Sequence, residues 1–164
     1  MYIPFQSLPP HSKIWIYQAD KILSEEQKHI ISQSLHAFTE AWTVHGAEMQ
    51  TSYDIAFDQF IILAANDHAS GCSIDHSVRT IKSIGESLEI NFFNRDLIAF
   101  KNENGIALIP MKELKIKLNE GKWNADSLVF NNLVSTKGDF EKMWLLPAGA
   151  TWLKRYLPAE TISQ

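Results

Sequence analysis

A chain of 164 residues, 45% of them hydrophobic and 21% charged, is long enough to bury a core and too apolar to remain disordered. The net charge of −4 leaves no basic stripe for nucleic acid: the densest cationic run, Lys112, Lys115, Lys117 and Lys122, is interrupted by Glu113 and Glu120 and reads as a solvated face. A single cysteine excludes an internal disulfide, and the longest apolar run, Phe60 to Ala65, falls far short of the ~20 residues that cross a bilayer.

These exclusions predict one α+β domain over residues 1–164, cytoplasmic, with neither a membrane nor a nucleic acid among its partners. The start, Met1-Tyr2-Ile3-Pro4-Phe5, has no secretory pattern. Lys13 to Gln18 is β-branched and aromatic and predicts a strand. Ser24-Glu25-Glu26-Gln27 has the form of a capping box. Ile31, Leu35, Phe38 and Trp42 then recur at helical spacing, so a helix is expected over about 25–42, with Gly46 as its stop.

Glu48 to Phe57 alternates, and Phe60 to Ala65 is continuously apolar, as in a strand buried on both faces. Asp58 is placed at the turn between them. A second helix follows Cys72, with Ile74, Val78, Ile81, Gly85 and Leu88 as its apolar stripe and Arg79, Lys82, Glu86 and Glu89 towards water. The Phe92-Phe93 pair is expected to plug the end of the sheet. Leu97–Phe100 and Ile106–Ile109 flank Asn104-Gly105, a strong hairpin signal because both turn residues tolerate positive φ. Pro110 opens a short helix stopped by Gly121. Ser127–Thr136 and Asp139–Leu146 fit strand or helix equally, and Thr151–Leu157 reads as a closing helix. The order strand, helix, strand, strand, helix, strand is that of a ferredoxin-like βαββαβ unit. The expected fold is therefore an antiparallel sheet with helices packed on one face, plus a C-terminal extension.

The chemistry on offer gathers in the turn Asp67-His68-Ala69-Ser70-Gly71-Cys72-Ser73-Ile74-Asp75-His76. A thiol at a helix N-terminus has its pKa lowered by the free N–H groups, and Cys72 with His76 or His45, beside Asp67 or Asp75, supplies the parts of an activated nucleophile. Alternatively, Ser70, Gly71, Ser73 and Asp75 form a ligand site, where the exposed amides of the first turn suit a small anionic ligand. A plain reading stands beside both: a buried cysteine, a turn glycine, a serine cap and an aspartate favoured by the helix dipole.

His68-x3-Cys72-x3-His76 has zinc-type donors, but Gly71 interrupts any continuous helix and paired Cys-x2-Cys spacing is absent, so no metal is assigned. No Walker A, dinucleotide-binding, Gly-x-Ser-x-Gly or His-Glu-x2-His pattern occurs, and no cofactor is expected. Trp15, Trp42, Trp123, Trp144 and Trp152 are read chiefly as core, with the last three also open to a ligand or an interface.

Through Trp42-x2-His45-Gly46 and Ser70-Gly71-Cys72-Ser73-Ile74-Asp75, the chain resembles a family of small uncharacterised bacterial proteins, over Ile14 to Trp152. The resemblance implies an intracellular protein of unassigned activity and carries over no catalytic residue. The leading expectation is thus a binding or interaction domain with its ligand at the Ser70–Asp75 turn. The alternatives are an enzyme using Cys72 as nucleophile or redox thiol, and a structural subunit that forms a homodimer.

Overall fold

The computed structural model describes residues 1–66 and 71–159, the side chain of Cys72 excepted. Its first elements are β1 (Lys13–Gln18), α1 (Glu25–Ala41), β2 (Thr43–Val44), β3 (Ala47–Glu48), β4 (Thr51–Ala56), β5 (Phe60–Ala65) and α2 (Gly71–Leu88). They are followed by β6 (Leu97–Asn102), β7 (Gly105–Pro110), α3 (Leu114–Asn119), β8 (Leu128–Phe130), α4 (Lys137–Met143) and β9 (Leu145–Pro147). Two compact units result: Met1–Asn94 with Leu133–Glu141, and Arg95–Asn132 with Lys142–Gln164. No helix among the described residues is long and apolar enough to cross a membrane.

In the first unit β5 lies between β1 and β4, antiparallel to both. All six of its residues are buried, as expected of a continuous apolar run at the centre of a sheet. Alternation along the strand puts Ile61, Leu63 and Ala65 into one cluster with Ile31, Leu35, Phe38 and Trp42 of α1 and its C-cap, and with Ile81 and Ile84 of α2. The capping box forms: Ser24 Oγ accepts from the Gln27 N–H at 3.1 Å, and Gln27 Oε1 accepts from the Ser24 N–H at 2.9 Å. Lys28 ties the first turn of α1 to the β4–β5 turn through Asp58, at 2.7 Å.

Helix α1 ends at Ala41, and Gly46 is not its stop. His45 and Gly46, with φ of 50° and 77°, make the reversal of the small β2–β3 hairpin. Two adjacent residues with positive φ suit a two-residue hairpin turn, which is why glycine follows histidine here.

The expected ferredoxin-like order places Leu97–Phe100 in the same sheet as β1. Instead β6 pairs with β7 and β8 in a second sheet, ordered β7-β6-β8-β9. There are two physical reasons. The Asn104-Gly105 turn gives β6 a local partner at little loop-closure cost. The outer edge of β1 is already used, since the Ile14 N–H donates to Ser135 O at 3.0 Å and Lys13 bridges to Thr136.

The returning segment is held by Lys137, which is only 7% exposed. Its ammonium donates to Leu8 O at 2.7 Å and to Gln6 O at 3.2 Å, and lies 5.5 Å from the centre of the Phe5 ring. A buried cation is tolerable only with such partners.

The second unit has its own core, in which Phe100, Leu114, Trp123 and Leu153 are buried together. The Trp123 indole donates to Leu114 O at 2.8 Å. The ambiguous stretches resolve into β8, α4 and β9, and Trp152–Tyr156 forms a 3-10 helix.

Beneath α2, Tyr17 is 8% exposed, and burial raises its phenol pKa above the model-compound value of 10.0, opposed by a hydrogen bond with Ser77. The unfolded chain ionises this group near pH 10 and the folded chain resists doing so. Its contribution is therefore intact below pH 10 and is lost as pH rises through the elevated folded value. Urea unfolding between pH 9 and about pH 12 is expected to show stability falling with pH, and Tyr17→Phe to flatten that fall.

Candidate functional site

The turn singled out from sequence lies at the N-terminus of α2. Asp67, His68 and Ser70 lie outside the described residues, as does the Cys72 side chain. Gly71 is exposed and opens the helix; Asp75 and His76 are exposed in its first turns. Ser73 is buried, and its hydroxyl donates to Thr43 O at 2.7 Å. The Ser73 carbonyl accepts from the Trp42 indole N–H at 3.0 Å. The His76 ring stands edge-on to Phe38, centroids 5.2 Å apart. His45 is exposed at the tip of the β2–β3 hairpin. Among the described residues, no three His, Cys, Asp or Glu side chains converge as metal ligands would. What this end of α2 shows is an anchor: Trp42 and Thr43 clamp Ser73 and so fix the first turn.

A concavity of the first unit lies further along the same helix. The buried side of α2 is not the stripe read from the sequence. It runs through Ser73, Ser77, Ile81, Ile84 and Gly85, so it shares Ile81 and Gly85 with that stripe but leaves Ile74 and Val78 half-buried. Ser77 is fully buried with its hydroxyl on Ile74 O at 2.6 Å, so a small polar residue occupies a place that periodicity assigned to a larger apolar one. This rotation turns Val78 towards a groove of about 620 Å³.

Gly85, Ile90 and Phe92 are buried and form the floor of the groove, while Val78 and the 41%-exposed Phe93 form its walls. Asp20, Lys82, Glu86 and Glu89 stand on its rim. Of the Phe92-Phe93 pair, Phe92 is buried in the core cluster, while Phe93 is exposed and stands edge-on to Tyr17 of β1. The volume is in the range that holds a small ligand, roughly 300–1,000 Å³.

The groove is built from the C-terminal end of α2. Glu89 takes φ of 57°, and the Ile90 N–H donates back to Gly85 O at 2.9 Å. That is the long bond of a Schellman cap, in which the C′ position is usually glycine. The loop beyond is locked to the β1–α1 loop: the Asp20 N–H donates to Asn91 O and the Asn91 N–H to Asp20 Oδ1, both at 3.1 Å. The β1–α1 loop is in turn bonded to the β4–β5 turn, Ala19 N–H to Gln59 O and Leu23 N–H to Asp58 O, each at 2.7 Å. The fully buried Gln59 side chain also donates to Ala19 O at 2.6 Å. Three loops thus form one bonded platform.

The groove is not legible in residue order, because periodicity assigns Val78 to the core and Lys82, Glu86 and Glu89 to a solvated face. One local signal was available: Glu89-Ile90-Asn91 closes a helix without a glycine. Elsewhere in the unit, the hydroxyls of Ser12 and Ser52 are buried with no partner among the described residues, and nothing there explains them.

The chain matches no protein-family model, no curated protein and no solved structure.

Proposed function

We propose that the first unit is a binding module whose ligand seats in the groove on α2, with an apolar group against Val78, Phe92 and Phe93 and a polar or charged group at the rim. The observation that carries this reading is a concave, mainly apolar surface held open by a platform of hydrogen bonds. Preformed sites of this kind lower the ordering cost of association. A second feature supports it. Glu89 occupies a left-handed position that disfavours side chains by about 1 kcal/mol, and it does so on the rim.

The turn at Ser70–Asp75 supports a ligand less well, because the Ser73 hydroxyl and carbonyl are both engaged within the protein. The nucleophile alternative rests on Cys72, whose side chain lies outside the described residues.

The test is an amide NMR titration with indole, a neutral, soluble, aromatic probe. Saturable shifts are expected at Val78, Glu86 and Phe93, and Val78→Asp is expected to abolish them while leaving the circular dichroism spectrum unchanged. Shifts clustered at Gly71, Ser73 and Asp75 would transfer the site to the turn. An absence of saturable shifts would remove the reading altogether.

A further inference from the structure

We infer that the occupant of the groove is a basic, amphipathic peptide segment of another protein, an assignment that rests on the binding reading above.

Charge is the first argument. Asp20, Glu86 and Glu89 face one ammonium, Lys82, on the rim. Glu86, Glu89 and Lys82 make no ion pair among the described residues, so the rim carries an uncompensated negative excess. The surrounding unit amplifies it. Met1–Asn94 and Leu133–Glu141 contain six Lys and Arg against thirteen Asp and Glu, a net charge of −7. A field of that sign steers cations in and repels anions.

Extent is the second argument. A small molecule fills the groove, but further exposed apolar side chains stand on the loops bonded to it. Ile22 is 66% exposed and Phe57 is 44% exposed. Each stands one residue before a partner of the Leu23 N–H···Asp58 O bond, on the same three-loop platform that carries Asp20 and Phe93. Covering Ile22 and Phe57 together with the groove takes an extended ligand with apolar residues at intervals, which an amphipathic helix provides at i, i+3, i+4 and i+7. Cationic side chains between them meet Glu86, Glu89 and Asp20.

The experiment uses the whole chain and three synthetic helical peptides of about 14 residues. All have the same leucine pattern, and their intervening positions carry Lys and Arg, Gln, or Glu. The basic peptide is expected to bind about tenfold more tightly than the Gln peptide, with the difference shrinking at high salt. Its amide shifts are expected at Val78, Glu86 and Phe93 and also at Ile22 and Phe57.

Glu89→Gly is the informative variant, because glycine suits the left-handed cap. The fold is expected to hold or stiffen while the preference for the basic peptide drops to about threefold. Equal binding of all three peptides in the groove overturns the charge assignment and leaves the binding reading standing. Shifts that spare Ile22 and Phe57 overturn the peptide in favour of a small molecule. A concentration-dependent dimer that shifts the same residues without peptide makes a second copy the occupant and overturns the inference. If neither peptides nor indole move the groove residues, the binding reading falls as well.

Discussion

Replacing Trp42 by alanine is expected to destabilise the first unit by about 4 kcal/mol, the largest effect of any single substitution proposed for this protein. Trp42 is 1% exposed and joins three partners. Its ring packs on Phe38 with centroids 4.9 Å apart and edge-on to Trp15 at 5.6 Å. Its indole donates to Ser73 O at 3.0 Å. Alanine leaves a cavity that α1 and α2 close only in part, and the lost hydrogen bond adds about 1 kcal/mol. Trp42→Phe separates the two contributions: most of the packing stays, and the expected loss is nearer 1–2 kcal/mol. Urea unfolding followed by circular dichroism measures both. If the indole anchors the start of α2, the amides from Asp75 to Val78 should exchange faster in Trp42→Phe by more than the global loss accounts for. A uniform rise across the unit would refute the anchoring role.

Gly85→Ala is expected to cost about 2 kcal/mol net, although alanine is the better helix former. A Cβ at this position meets Ile90 O at 2.5 Å and a Phe92 ring carbon at 3.2 Å. The ring can shift; the carbonyl cannot shift freely, because Ile90 also donates its N–H to Gly85 O and closes the cap. The propensity gain of about 1 kcal/mol is therefore outweighed by displacement of the backbone that forms the groove floor. The same substitution is expected to abolish the indole shifts at Phe93. If Gly85→Ala is as stable as the parent or more so, the close approach of α2 to the Ile90 carbonyl is wrong.

Both substitutions act on α2, where reading the residues and seeing the fold diverge most. The periodicity of Ile74, Val78, Ile81, Gly85 and Leu88 marked a helix, and α2 spans Gly71–Leu88. It did not mark the helix's rotation. Two serines that hydrogen-bond within the protein, Ser73 to Thr43 O and Ser77 to Ile74 O, sit as well against the core as aliphatic residues do. Nothing in residue order distinguishes such a serine from a solvated one. The groove follows from that rotation, so it was invisible until Val78 was placed.

Local chemistry was legible wherever a residue's own preferences decide the outcome. The Ser24–Gln27 capping box, the β6–β7 hairpin at Asn104-Gly105 and the fully buried β5 needed only cap geometry, positive-φ tolerance and hydrophobicity. Pairing between distant strands was decided elsewhere. The hairpin turn gives β6 one partner, β7, but residue order leaves its other edge open to β1 or to β8. The choice was made by Ser135 and Thr136 occupying the edge of β1, and by Lys137 finding carbonyls at Gln6 and Leu8. The returning segment lies more than a hundred residues from those partners, and a backbone edge holds two hydrogen-bonding sides that any strand can fill. Composition and local preference determined which elements exist. Long-range competition for edges and buried faces determined which of them meet, and with that, which side chains line a groove.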